Sequence, residues 1–226
     1  MTSLEAWDRQ IALFARYFLR HANLPQGVFS LLDVGCGTGA ALRAMRASRP
    51  DAVLRGCDAE EEHVAISRRM SGEGASYFVA DALGYGGSYD VIYISNLLEH
   101  IEAWQAAADH ALARCRRLYV LVPYRERIGA RRSAVPGVDH VASFDERSFD
   151  GYAGRGASVE TRVIRTPWAW GHPLRREVVL RIRGRLRGAP VEPQRELLVA
   201  VTNPGGAGWA AAPALRSRLR AFLGAA

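Results

Sequence analysis

Three observations predict a doubly wound α/β fold for this 226-residue chain. Short apolar runs alternate with amphipathic stretches in units of roughly 20 to 30 residues, the pattern of right-handed crossovers feeding a parallel sheet. A glycine triplet, Gly35, Gly37 and Gly39, follows the first apolar run directly. Acidic residues stand just beyond the next two runs, at Asp58 and Asp81.

The elements follow in order. Thr2 and Glu5 are spaced as a capping box, and Leu4, Trp7, Ile11, Phe14 and Phe18 fall on one face, so a helix opens the chain and ends by Pro25. Apolar Ser30 to Val34 is a strand, followed by a helix from about Gly39 to Ser48. A second strand covers Val53 to Cys57 and a helix Glu61 to Met70. Short strands are expected at Tyr77 to Ala80 and Tyr89 to Ser95, a helix at Ile101 to Ala113, and a strand at Arg117 to Val122 closed by Pro123. Beyond Pro123 the pattern changes to an arginine-rich loop (Tyr124 to Pro136) and a helix near Asp145 to Ala153. Three alternating runs follow, Val159 to Arg165, Glu177 to Arg183 and Glu196 to Thr202, of which the last two are expected to pair as an antiparallel hairpin at the sheet edge. Gly205 to Pro213 reads as a loop before a terminal helix. No boundary divides the chain, so one domain is expected over 1–226: an N-terminal helix (1–24), a ligand-binding core (25–123), and a loop with C-terminal strands (124–226).

Composition sets the class. At 49% hydrophobic the chain can bury a full core, and no run of about 18 uncharged apolar residues exists to span a membrane, so a cytoplasmic protein is expected. The three cysteines, Cys36, Cys57 and Cys115, form no paired motif, which argues against a disulfide framework or a thiolate metal site. The formal charge is +7 with no lysine, so every cationic chain is arginine, a bidentate partner for carboxylate and phosphate. An anionic substrate or nucleic acid is thereby kept open as a partner, while a general bias towards arginine is the favoured explanation of the charge.

The sharpest local signal is LLDVGCGTGAAL, residues 31–42. Glycine is required there because the backbone must turn from strand to helix and approach a ligand closely. The spacing is GxGxG, with Asp33 just ahead of it, which disfavours the pyrophosphate of a dinucleotide. Asp58, closing the second strand, can accept hydrogen bonds from both hydroxyls of a ribose, and Asp81 ends the third strand where a polar group can meet an adenine amine. Each acid taken alone is equally a helix N-cap.

The order LLDVGCGTG, GCDAE, VADAL, YDVIYISNLLEHI and RLYVLVP resembles the class I S-adenosylmethionine (SAM)-dependent methyltransferases, from Leu31 to Val122 and more weakly to Thr202. The resemblance implies a Rossmann-like seven-stranded sheet, mostly parallel with its last strand antiparallel, and SAM as cofactor. One predicted strand is then in excess, either Val159 to Arg165 or Glu177 to Arg183. Asp33, Gly35, Cys36, Gly37 and Gly39 would surround the methionine part, Asp58 and Ala59 the ribose, Asp81 and Ala82 the adenine, and Ser95 and Asn96 the methionine amino group.

Methyl transfer from a sulfonium needs alignment and sometimes removal of a proton, so no strong catalytic motif is expected. His100, after the fourth strand, and His140, in the excursion after the fifth, are the candidate catalytic residues, with Tyr124 nearby. His21, His63, His110 and His172 are expected to be structural or solvated. Glu99-His100 with His140 resembles the divalent-metal site of small-RNA 2'-O-methyltransferases and of some quinone-biosynthesis methyltransferases, but Asn96 stands where that pattern has a further Glu. The expectation is therefore no metal. The arginines of 125–132 and 175–187 form a candidate basic rim, and Trp168, Trp170, Tyr152 and Trp209 candidate pocket walls. The expected reaction is methylation of an O or N atom of a small-molecule acceptor. The alternatives are an RNA methyltransferase and a non-catalytic SAM-fold binding protein, and the oligomeric state is open.

Overall fold

A computed structural model describes residues 3–126, 140–166 and 194–203. The expected strand at 177–183, the terminal loop and helix, Thr2 of the capping box, His172, Trp168, Trp170, Trp209 and most of both arginine clusters lie outside the described residues.

The chain opens with α1 (Ser3–His21), whose Glu5 and Arg20 sit at the dipole ends that suit them. Strand β1 (Ser30–Val34) leads through the glycine loop to α2 (Ala40–Ser48), then β2 (Val53–Asp58), α3 (Glu61–Ser71) and β3 (Ser76–Val79). Strand β4 (Tyr89–Ser95), α4 (Trp104–Leu112) and β5 (Cys115–Pro123) follow, and then a one-turn α5 (Asp150–Ala153), β6 (Ser158–Thr166) and β7 (Gln194–Thr202). Among the described residues seven strands form one sheet, in the order β3-β2-β1-β4-β5-β7-β6. The five strands β1 to β5 are parallel, so their carboxyl ends share one edge. The order reverses between β1 and β4, the place where open α/β sheets leave a ligand crevice.

Alternation along the strands divides the core in two. Leu31, Tyr93, Tyr119 and Leu121 pack with Phe14, Ala15 and Phe18 of α1, Leu42 and Met45 of α2, and Val64 of α3. Leu32, Ile92, Ile94, Leu118 and Val120 pack on the other face with Ala107, Ala111 and Leu112 of α4, and with Phe144 and Phe149. Helix α1 is thus a packed element: Phe14 and Phe18 are fully buried, and Phe18 stacks on Tyr93 at 4.3 Å between ring centroids. On the outer strand β3, Arg68 donates two hydrogen bonds to the Tyr77 carbonyl (3.1 and 2.8 Å), which blunts an otherwise open edge.

Two expectations are corrected. The antiparallel partner of the last strand is β6, residues 158–166, and not 177–183. Strand β7 has β5 on one side and β6 on the other, so neither of its edges is left for a third strand. The helix expected from Ile101 begins only at Trp104, because the chain leaving β4 first turns through Asn96 (φ 50°) and a 3₁₀ turn, Leu98–His100. That turn is fixed by the Glu99 carbonyl, which accepts hydrogen bonds from the Val141 and Ala142 amides at 2.7 and 3.1 Å. Among the described residues no helix is long and apolar enough to cross a membrane.

Candidate functional site

The glycine loop is built by backbone constraints that only glycine meets without strain. Gly35, Gly37 and Gly39 have φ of 74°, 52° and 78°. At Gly39 a Cβ would lie 2.6 Å from the Tyr77 hydroxyl, so the loop packs against β3 there. At Gly37 a Cβ would meet nothing within 4 Å, so the loop is open on that side. The loop is tied to β2: the Gly35 and Cys36 amides donate to the Cys57 carbonyl at 2.8 and 2.9 Å, and the Gly37 amide donates to Asp58 Oδ2 at 2.8 Å. Cys36 turns its side chain into the core, so only its backbone faces the crevice, and burial holds its thiol far above the ordinary range.

Asp58 sits half-buried at the end of β2, where Oδ1 accepts the Glu60 amide at 3.0 Å and lies 3.3 Å from His63 Nδ1. His63, expected to be structural or solvated, therefore stands beside the carboxylate predicted to bind ribose. Asp81 is exposed after β3 and accepts the Leu83 amide at 2.8 Å, with Ala82 half-buried beside it. Ala59 is exposed next to Asp58. Ser95 and Asn96, at the end of β4, are joined by a 3.0 Å hydrogen bond from Asn96 Nδ2 to Ser95 Oγ. All of these positions follow carboxyl ends of parallel strands and so line one edge of the sheet.

Buried acceptors mark the floor of the crevice. Asp33 is 2% exposed, and neither its Oδ2 nor Asn96 Oδ1 has a hydrogen-bond partner among the described residues. Burial, and then the charge of Asp58, raise the Asp33 carboxyl to about 8. An acceptor left unpaired in the interior is costly, so such atoms point to a bound donor.

A second cluster is assembled from three segments of the chain. His100, after β4, and His140, after β5, meet with ring centroids 4.5 Å apart. His140 Nδ1 is held by Glu126 Oε2 at 2.5 Å. Beneath them Glu99 is 1% exposed, with Oε2 unpartnered and Oε1 4.0 Å from His100 Nε2. Burial lifts the Glu99 carboxyl well above the ordinary range, and the charges of Glu196 and Glu126 add to this. Among the described residues, Glu99, His100 and His140 bring one ligand atom each within 4.8 Å of one another, a group able to hold a metal ion. The remaining histidines are placed elsewhere: His110 Nε2 lies 2.9 Å from the Tyr85 carbonyl oxygen and His21 Nδ1 3.1 Å from Arg162 Nη1. Tyr152, a suggested pocket wall, is buried in the core.

Three groups escaped the sequence reading. Glu126 and the fully buried Glu196 on β7 reach the cluster only through the fold. Asp8 of α1 bonds to the Thr38 hydroxyl inside the glycine loop and pairs with Arg43 at 2.7 Å, which ties the first turns of α1 to that loop. The sole sequence signal for these was an acidic residue on an otherwise apolar or basic stretch.

A search of curated proteins finds no significant match to the chain. Among solved structures, magnesium protoporphyrin IX methyltransferase from Synechocystis PCC 6803 with bound SAM is similar at TM-score 0.57 and 18% identity, over 88% of this chain and 80% of that one. The plantazolicin methyltransferase BpumL, in complex with a pentazolic desmethylPZN analog and S-adenosylhomocysteine (SAH), is similar at TM-score 0.57 and 19% identity, over 88% and 85%. A chain of the Haloferax volcanii complex between the Trm112 methyltransferase activator and a methyltransferase reaches TM-score 0.64 at 18% identity, over 89% and 96%. At these identities the likeness establishes the shared fold. A family model described as "Methyltransferase domain" matches residues 5–155, two-thirds of the chain, and with the sheet order and glycine loop above, this chain belongs to the methyltransferase-domain family.

Proposed function

We propose that the chain binds SAM at the β1/β4 switch point and transfers its methyl group to an oxygen or nitrogen of a small-molecule acceptor lying against His100 and His140. The carrying observation is the pair of buried, unpartnered acceptors, Asp33 Oδ2 and Asn96 Oδ1, next to a glycine loop open at Gly37. A methionine ammonium supplies the donors these atoms lack. Asp58 takes the ribose hydroxyls on its remaining lone pairs while it keeps the loop tied, since a carboxylate offers about four. Asp81 and Ala82 flank the adenine, with Gly35, Cys36, Gly37 and Gly39 along the methionine and Ala59 and Ser95 at its margins. SAM and SAH in structural neighbours support this reading.

Bound SAM supplies an activated methyl on a sulfonium; the chain supplies alignment and a proton acceptor. With Nδ1 of His140 held by Glu126, Nε2 is the nitrogen that takes the acceptor's proton as the methyl arrives. His100, packed edge-on against that ring, fixes its orientation. Methyl transfer then needs no metal. A second reading, a divalent cation on Glu99, His100 and His140, is favoured by their convergence and by the unpartnered Glu99 oxygen. Calorimetry with SAM, followed by a screen of acceptor classes with labelled SAM, tests the proposal: a protein that binds SAM and labels small molecules sustains it, and one that binds no SAM refutes it.

A further inference from the structure

Beside the carboxyl end of β5 stand two arginines, Arg165 and Arg195, that no ion pair among the described residues and no step of the proposed methyl transfer uses. Tyr124 follows β5 directly, and its ring centroid lies 5.1 Å from the guanidinium carbons of both Arg125 and Arg195. Arg125 is accounted for, since it pairs with Glu146 at 3.0 Å. Arg195 is not: it is the second residue of β7, directly opposite Arg165 of β6, and both are exposed, with no carboxylate partner for either among the described residues. Directly opposed residues of an antiparallel pair share a face, so two like charges stand side by side, an arrangement that costs stability. Protection of an open sheet edge explains charge on β6, but β7 is covered on both sides and needs none. By contrast, Arg43 and Arg155 each hold a carboxylate at 2.7 Å.

The locus adjoins the proposed acceptor site. Tyr124, Arg125 and Glu126 are consecutive, Glu126 holds His140, and the Tyr124 amide donates to the Arg195 carbonyl at 3.0 Å. Guanidinium presents a planar fork that binds carboxylate or phosphate through two parallel hydrogen bonds, and stacking on an aromatic ring preorganises it. We propose that the methyl acceptor carries an anionic group, a carboxylate or a phosphate, which Arg165 and Arg195 hold beside the Tyr124 ring. The inference rests on the reading of the neighbouring crevice as a methyl-transfer site. A compact pair of guanidiniums at one register position matches a single anionic group; a nucleic acid strand presents repeated charges and calls for a track of such pairs.

The test uses the whole chain and the Arg165→Gln/Arg195→Gln double variant, which alters only exposed side chains. SAM affinity is measured first on both proteins, and calorimetric titrations with inorganic phosphate and with acetate follow. The expected result is that one anion binds the wild type and binds the double variant about tenfold more weakly or less, with SAM affinity unchanged. Phosphate alone binding assigns a phosphate-bearing acceptor, and acetate alone a carboxylate. In the labelled-SAM screen, acceptors with the matching anionic group take label while their neutral esters or amides do not, and the double variant raises KM with little change in kcat. Absence of binding by both anions, equal binding by the double variant, or equal labelling of neutral analogues overturns the inference. So does label entering RNA with an affinity indifferent to the double substitution. Failure of the wild type to bind SAM strikes the methyl-transfer reading instead, and is scored separately from the anion titrations.

Discussion

Replacing Asp33 by Asn changes the pH dependence of folding in a way that follows from one buried carboxyl. In the folded chain burial, and then the Asp58 charge, hold Asp33 at about 8 against 3.8 ordinarily. Between these values the folded state keeps a proton that the unfolded state has lost. Stability follows the difference in bound protons, unfolded minus folded, so this group makes the protein less stable as pH rises through the window. One proton corresponds to about 1.4 kcal/mol per pH unit, or roughly 3 kcal/mol between about pH 5 and about pH 7.5. Asp33→Asn removes this slope, whatever offset the new amide adds at every pH, and Glu99, raised in the same direction, remains in both proteins and cancels in the comparison. Urea unfolding of wild type and variant at several pH values reads the difference directly. Parallel curves would show that Asp33 is ionised in the folded protein and would refute the reasoning. Binding of a cationic SAM ammonium against Asp33 would also release a proton, visible as a dependence of calorimetric heat on buffer ionisation enthalpy.

Asp58→Ala should weaken SAM binding by about tenfold or more and lower the melting temperature, because the carboxylate serves both the proposed ribose contact and the Gly37 amide; unchanged SAM affinity by calorimetry would remove the ribose assignment. Methyl transfer should survive a chelator; a large loss restored by magnesium or manganese would establish the metal reading at Glu99, His100 and His140. His140→Ala should lower turnover by roughly 100 to 10,000-fold and leave SAM affinity nearly intact. His100→Ala should lower it less, and full turnover in both variants would leave catalysis to alignment alone.

The sequence by itself determined the parts whose signals are local. Apolar runs and their spacing placed β1 to β5 and the helices between them, because strand and helix periodicities are written in consecutive residues. Gly35, Gly37 and Gly39 announced a sharp turn from strand to helix, and in the structure all three have positive φ. Only the tertiary structure decided which strand pairs with β7, since the runs at 159–165 and 177–183 share the same alternation and register is set by which edge is open. It also decided what surrounds the histidines. Glu99 and Glu126 follow β4 and β5 and Glu196 lies near the start of β7, and nothing in their sequence spacing brings them together; the sheet does, by setting the start of antiparallel β7 beside the carboxyl ends of the parallel strands. The same holds for Asp8 on the glycine loop and for Arg165 against Arg195, contacts 30 residues apart along the chain or more, whose chemistry exists only once the core of α1, β5 and β7 has closed.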